Sequence, residues 1–101
     1  VHNVMSGGAG CIGGLTNVCP ELMADWVKAV NAKDWDESAK IQRKVNKLMD
    51  MFEICAPFLT AVKRALLIQG VISNEYGSEP NVIANDAEDA KIREILEAIK
   101  D

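Results

Sequence analysis

The run Gly7-Gly8-Ala9-Gly10-Cys11-Ile12-Gly13-Gly14-Leu15-Thr16-Asn17 decides how the rest of this chain is interpreted. Five of the seven glycines lie in it, directly before the first clearly amphipathic helix. Such density indicates backbone that passes close to a neighbour or takes a positive φ. Its short apolar part suits a buried strand, since each glycine would cost about 1 kcal/mol inside a helix. We therefore predict one buried strand over residues 10–15, which has no partner strand elsewhere in the chain.

Length, composition and charge limit the possible classes of protein. The chain has 101 residues and is 49% hydrophobic, which is enough for one domain with a modest core. Eleven basic and fifteen acidic residues give a net charge of −4, which argues against a nucleic-acid partner. No apolar run approaches the roughly 18 residues of a membrane span, and no signal peptide is recognisable, so we predict a cytoplasmic location. Val1 in place of an initiator Met suggests a processed, truncated or excised product.

Helix start and stop signals divide the rest of the chain. They predict helices over residues 20–32, 35–55, 57–69 and 86–100, and a possible earlier helix ending at Met5 before the glycines. The signals are prolines at first helical positions, capping boxes and a glycine stop, at Pro20, Asp34 with Glu37, Pro57, Gly70 and Asn85 with Glu88. The short link between the first two of the four helices predicts an antiparallel hairpin. The fold class is therefore mainly α, with one short strand and about four helices.

Apolar residues at helical spacing predict the core. The residues expected in or near one common core are Ile41, Val45, Leu48, Phe52, Val62, Leu66, Ile95 and Ile99. The remaining large apolar side chains of the first two helices are also predicted to be core packing rather than a ligand cage: Trp26, Trp35 and Met49.

Residues 8–13 match the glycine pattern GxGxxG of dinucleotide-binding proteins. That fingerprint needs a strand before it, a helix that begins inside it, and an acidic residue at the end of a second strand. Here the predicted strand follows the first glycines, and Asp34 lies between helices. We therefore do not predict a nucleotide site.

Other chemically suggestive groups also have simpler explanations. Lys40, Arg43, Lys44 and Lys47 share one helix face that could grip phosphate, but a solvated face opposite the apolar stripe explains them better. The acidic group Asp34, Asp36 and Glu37 suits helix capping. His2, the only histidine, has no nucleophile paired with it by spacing. Cys11, Cys19 and Cys55 lack metal-site spacing, so we predict reduced, buried thiols and no metal.

A resemblance adds what these patterns do not give. The chain resembles the C-terminal part of the dihydrodipicolinate synthase and N-acetylneuraminate lyase family, most closely as far as Gly70. The likeness is carried, in order, by residues 8–22, Asp34-Trp35, Ala39, Gln42, Pro57-Phe58, residues 62–66 and Gly70.

This resemblance implies a fragment of a TIM (β/α)8 barrel that performs reversible aldol chemistry on pyruvate through a Schiff base. Residues 1–32 would be the end of the barrel, with its last strand and last helix, and residues 33–101 the C-terminal helical extension. The implied partners are the rest of the barrel or another copy of the chain, and a small 2-keto acid in the parent enzyme. The implied cofactor requirement is none beyond the Schiff base to a protein lysine.

The family's Schiff-base lysine, catalytic tyrosine and carboxylate-binding segment belong to earlier strands, so no catalytic residue is predicted here and the chain alone should be inactive. By resemblance, one wall of the substrate pocket would contain Gly13, Gly14, Phe58 and Leu59; ordinary interhelical packing remains an alternative for Phe58 and Leu59. The sialic-acid-cleaving branch has a serine in place of Gly14, which leaves a neuraminate substrate in doubt. Lys33 stands where relatives commonly have glycine, and a left-handed backbone there would be strained.

A different class of function also fits the residues. The chain could be a freestanding helical interaction module without enzymatic activity. The predicted strand separates the two hypotheses, because a freestanding module has no reason to bury residues 10–15 unpaired.

Overall fold

The computed structural model describes residues 2–10, 13–55, 58–75 and 83–100, and these parts of the chain are helical. The α-helices are α1 (His2–Met5), α2 (Pro20–Asn31), α3 (Trp35–Met49), α4 (Phe58–Ile68) and α5 (Asp86–Ala98). Two short 3₁₀ turns accompany them within the described ranges, at Gly14–Asn17 and Asp50–Glu53.

The strand predicted for residues 10–15 is wrong. Gly13 is extended, with φ −127° and ψ 128°, but Gly14 begins the first 3₁₀ turn, and the described residues contain no strand. The backbone hydrogen bonds explain this, because the N–H groups of Val18 and Cys19 both donate to the carbonyl of Leu15. Local turns thus satisfy backbone groups that an unpaired strand would leave without partners. Cys11 and Ile12 lie outside the described residues.

The predicted helices exist, with changes at their ends. α2 begins at Pro20 as predicted and ends one residue early. The helix predicted over residues 35–55 is α-helical only to Met49 and then tightens into the Asp50–Glu53 turn. α4 is described from Phe58 onward, and the predicted start at Pro57 lies outside the described residues. α5 ends at Ala98, two residues before its predicted end.

The predicted N-caps are present. The Asp34 side chain accepts a hydrogen bond from the Glu37 N–H at 3.1 Å. Asn85 and Glu88 form a complete capping box, since each side chain accepts from the other residue's backbone N–H at 2.9 Å. These bonds satisfy amide groups that the first turn of a helix leaves without partners.

Positive φ angles mark the C-terminal ends of α1, α2 and α4. Gly7 has φ +92°, Lys33 +56° and Gly70 +77°. In each case the residue after it donates its N–H five residues back, as Asp34 does to the carbonyl of Ala29 at 2.9 Å. This is the Schellman arrangement, which glycine normally occupies because it has no Cβ. The glycine stops predicted for α1 and α4 are therefore confirmed, and Lys33 is left-handed in the position where glycine is favoured.

The main core joins the first 3₁₀ turn to α3, α4 and α5. Leu48, Met51 and Ile92 are completely buried at its centre. Its other buried members are Leu15, Val18, Cys55, Ala61, Val62, Ala65, Ala84, Ile95 and Leu96. The boundary predicted at residues 32 and 33 stays a prediction, although Leu15 and Val18 pack into the same core as residues beyond it.

A second, smaller cluster joins α2 to α3. Ala29, Ile41 and Val45 are buried in it, and Trp26 packs against it. The Trp26 indole N–H is buried without a hydrogen-bond partner. The predicted packing of these two helices against each other is confirmed.

Seven of the eight predicted core residues are buried or partly buried, and they belong to two clusters. Leu48, Val62 and Ile95 are buried in the main core, with Leu66 and Ile99 partly buried against it. Ile41 and Val45 are buried in the second cluster and not in the main core.

The prediction was wrong for three apolar residues of α3 and the turn after it. Phe52 is 46% exposed, Trp35 45% and Met49 47%. The Asp50–Glu53 turn accounts for Phe52, because the turn places Met51 inside and leaves Phe52 at the surface.

Arg64 ties together three parts of the chain around the main core. Its guanidinium makes a bidentate pair with the Glu75 carboxylate and donates to Asp89 Oδ1 at 2.9 Å and to the Ala84 carbonyl at 2.8 Å. The Arg64 side chain is only 16% exposed. The guanidinium also lowers the pKa of the Asp89 carboxyl, with a smaller contribution from Arg93. This network fixes α4, the segment after it and the start of α5 relative to one another.

Replacing Lys33 by glycine should stabilise the protein. The left-handed backbone at Lys33 costs a non-glycine residue about 1 kcal/mol, and glycine removes that strain. We expect Lys33→Gly to raise the free energy of unfolding by about 0.5–1 kcal/mol in urea denaturation, after allowing for the greater freedom of glycine in the unfolded chain. The matched control is Gly70→Ala at the equivalent position of α4, which should destabilise by a similar amount. A destabilising Lys33→Gly would contradict the strain argument.

Replacing Arg64 by methionine should destabilise the protein by about 2–3 kcal/mol, because it removes both hydrogen bonds from the half-buried Glu75 carboxylate and leaves half-buried Asp89 paired with Arg93 alone. Thermal or urea unfolding at neutral pH measures this loss. Arg93→Met is the matched control and should cost much less, since Arg93 is 60% exposed and, among the described residues, pairs with Asp89 alone.

The same variant pair gives a pH test. The pKa of Asp89 is lowered in the folded state, so its stabilisation is present above the ordinary carboxyl pKa and is lost as the pH falls through the lowered value. The stability difference between wild type and Arg64→Met should therefore narrow in acid. If the stability difference between wild type and Arg64→Met did not change with pH, the Arg64–Asp89 pair would contribute nothing to that difference.

Candidate functional site

The residues predicted to form a pocket wall come from two separate parts of the chain. Gly14 opens the first 3₁₀ turn, and Phe58 opens α4. A Cβ added to Gly14 would lie 3.3 Å from Cε1 and 3.4 Å from Cζ of Phe58. The Phe58 ring thus lies directly over the Gly14 backbone, in space that any side chain at residue 14 would take.

The other two predicted wall residues flank this contact. Leu59 follows Phe58 and is 59% exposed. Gly13 is also exposed, and a Cβ added to it would meet only the Thr16 hydroxyl, at 3.4 Å. The structure therefore brings Gly14 and Phe58 into contact and places Gly13 and Leu59 beside them on the surface.

Sequence reasoning missed Phe52 as part of this surface. Its ring stacks on Phe58 with the centroids 3.9 Å apart and the planes 9° from parallel. Met49, three residues before Phe52, and Leu59, which follows Phe58, are also exposed. We call Met49, Phe52, Phe58 and Leu59 the aromatic patch. The helical spacing of Phe52 predicts a buried side chain. Its exposure follows from the change to 3₁₀ geometry after Met49, which the apolar spacing does not indicate.

Comparison with known proteins gives the family. The model of the Dihydrodipicolinate synthetase family matches residues 1–99. This chain belongs to that family. The match extends over almost the whole chain and includes both segments of the predicted wall.

A curated relative supports the assignment. The chain is 28% identical over 96 residues to the uncharacterized DapA-like lyase TK1237 of Thermococcus kodakarensis. The aligned region is 95% of this chain and 33% of that protein. The chain therefore spans about a third of the length of this relative.

The lysines of this family member lie on or beside the helices. Lys28, Lys40, Lys44, Lys47, Lys63 and Lys91 are helical, and Lys100 follows α5. Lys63 and Lys44 are half-buried, and the others are exposed. Lys47 pairs with Asp50 at 3.3 Å and Lys100 with Glu97 at 3.0 Å, so two of these amines are engaged in surface ion pairs.

The two described cysteines are poor nucleophiles. Cys55 is buried, and burial together with a hydrogen bond to Glu88 raises the pKa of its thiol to about 11. Partial burial and the nearby Glu21 also raise the pKa of the Cys19 thiol. A neutral thiol is unreactive, which agrees with the predicted structural role of both residues. Cys11 lies outside the described residues.

An open groove of about 530 Å³ runs between the ends of α4 and α5. Cys19, Ile68, Leu96 and Ile99 contribute to its lining. Its charged side chains are already paired, Arg93 with Asp89 and Lys100 with Glu97. The described residues that line the groove thus present no unpaired charge to a ligand.

Two classes of site are absent from the described ranges. These residues contain no group of three or more His, Cys, Asp or Glu side chains that could hold a metal ion. Among the same residues, no helix is both long enough and apolar enough to cross a membrane.

The contact between Gly14 and Phe58 can be tested by filling it. Gly14→Val should lower the free energy of unfolding by about 1–3 kcal/mol, because the branched side chain must displace the Phe58 ring. Gly13→Ala is the matched control and should have an effect within about 0.5 kcal/mol, since its Cβ meets only the Thr16 hydroxyl. The ring signals of Phe58 in an NMR spectrum should shift in Gly14→Val and not in Gly13→Ala. Equal effects of the two variants would contradict the contact.

Proposed function

We propose that this chain is the C-terminal part of a lyase that makes or breaks a carbon–carbon bond of pyruvate through a Schiff base. The family match over residues 1–99 carries the proposal, and the short coverage of the DapA-like relative supports the idea of a part rather than a whole enzyme. In this arrangement the rest of a (β/α)8 barrel supplies the Schiff-base lysine, and no further cofactor is needed. A cytoplasmic location stays a prediction.

The chain's own contribution is one wall of the substrate pocket. Gly13, Gly14, Phe58 and Leu59 form it in our proposal, and the contact of the Phe58 ring with the Gly14 backbone gives that wall a defined shape. A pocket wall built from backbone and aromatic carbon excludes water and positions a substrate without taking part in proton transfer.

The barrel chemistry itself needs groups that are not matched in this chain. A Schiff-base lysine needs a free amine in an enclosed apolar pocket, where it attacks the keto carbon of pyruvate and water leaves. The lysines here are on or beside helices, most of them exposed. Positioning of the reactants is worth about 7–11 kcal/mol of the barrier in well-arranged sites. An isolated chain would lack that positioning.

The exposed apolar residues suggest how the chain meets its partners. Met5 is 67% exposed, Val27 60% and Leu59 59%. Such surface favours association with the rest of the barrel or with a second copy. A strand edge does not contribute to this association, because Gly14 and Leu15 are in a 3₁₀ turn.

Trapping with borohydride tests the proposal. Incubation of the complete polypeptide that carries this chain with pyruvate and borohydride should give a stable adduct on one lysine, detected by mass spectrometry. The isolated chain treated identically should gain no adduct above background. The adduct should map by peptide analysis outside the residues of this chain.

Two outcomes would contradict the proposal. Absence of an adduct in the complete polypeptide would remove the Schiff-base mechanism. Stoichiometric trapping on a lysine of the isolated chain, with half-buried Lys63 the first candidate, would show that the active site lies within these residues. Lys63→Arg in the isolated chain is the control that identifies that lysine.

A further inference from the structure

We draw no further inference here: the strongest candidate, the aromatic patch at the surface between the end of α3 and the start of α4, carries none, because nothing in the structure shows what covers it.

Discussion

The change from α to 3₁₀ geometry at Asp50 is the constraint on which the main core and the candidate site both depend. Leu48 is the last buried residue of α3, and in a continuing α-helix Phe52, four residues later, would lie on the same face. The 3₁₀ turn is wound more tightly than an α-helix, so Met51 takes that face, and Leu48 and Met51 are both completely buried. Phe52 is thereby left at the surface, where it stacks on Phe58 at the beginning of α4. The Asp50–Glu53 turn thus contributes Met51 to the main core and Phe52 to the aromatic patch.

The Arg64 hydrogen bonds set the relative positions of the groups they join, which apolar packing alone cannot do. Apolar contacts are not directional, whereas a guanidinium with several fixed hydrogen bonds sets the relative position of the groups it joins. Arg64 binds Glu75, Asp89 and the Ala84 carbonyl, which come from both sides of the connection between α4 and α5. Its three partners lie 11, 20 and 25 residues after Arg64, so one side chain joins groups that are distant in sequence.

Membership of the family does not depend on a strand at residues 10–15. An unpaired strand there would favour a barrel fragment over a freestanding helical module. The described residues contain no strand, so that discrimination is lost. The assignment rests instead on the match of the family over residues 1–99 and on the DapA-like relative. A glycine-dense segment indicates a close neighbour or a positive φ. The turn that begins at Gly14, with the Phe58 ring packed over the Gly14 backbone, provides the close neighbour without a strand.

The sequence by itself determined the number of helices and the ends that carry a capping box or a glycine stop, because these signals act over only a few residues. Asn85 with Glu88 and the glycines at 7 and 70 behave as their local chemistry requires. It also pointed to Gly14 and Phe58, through resemblance. Only the tertiary structure decided that these two residues touch, that Ile41 and Val45 pack apart from the main core, and that Phe52 is exposed. The physical reason is that periodicity shows which face of a helix is apolar, whereas contacts between distant segments decide where that face ends and what covers it.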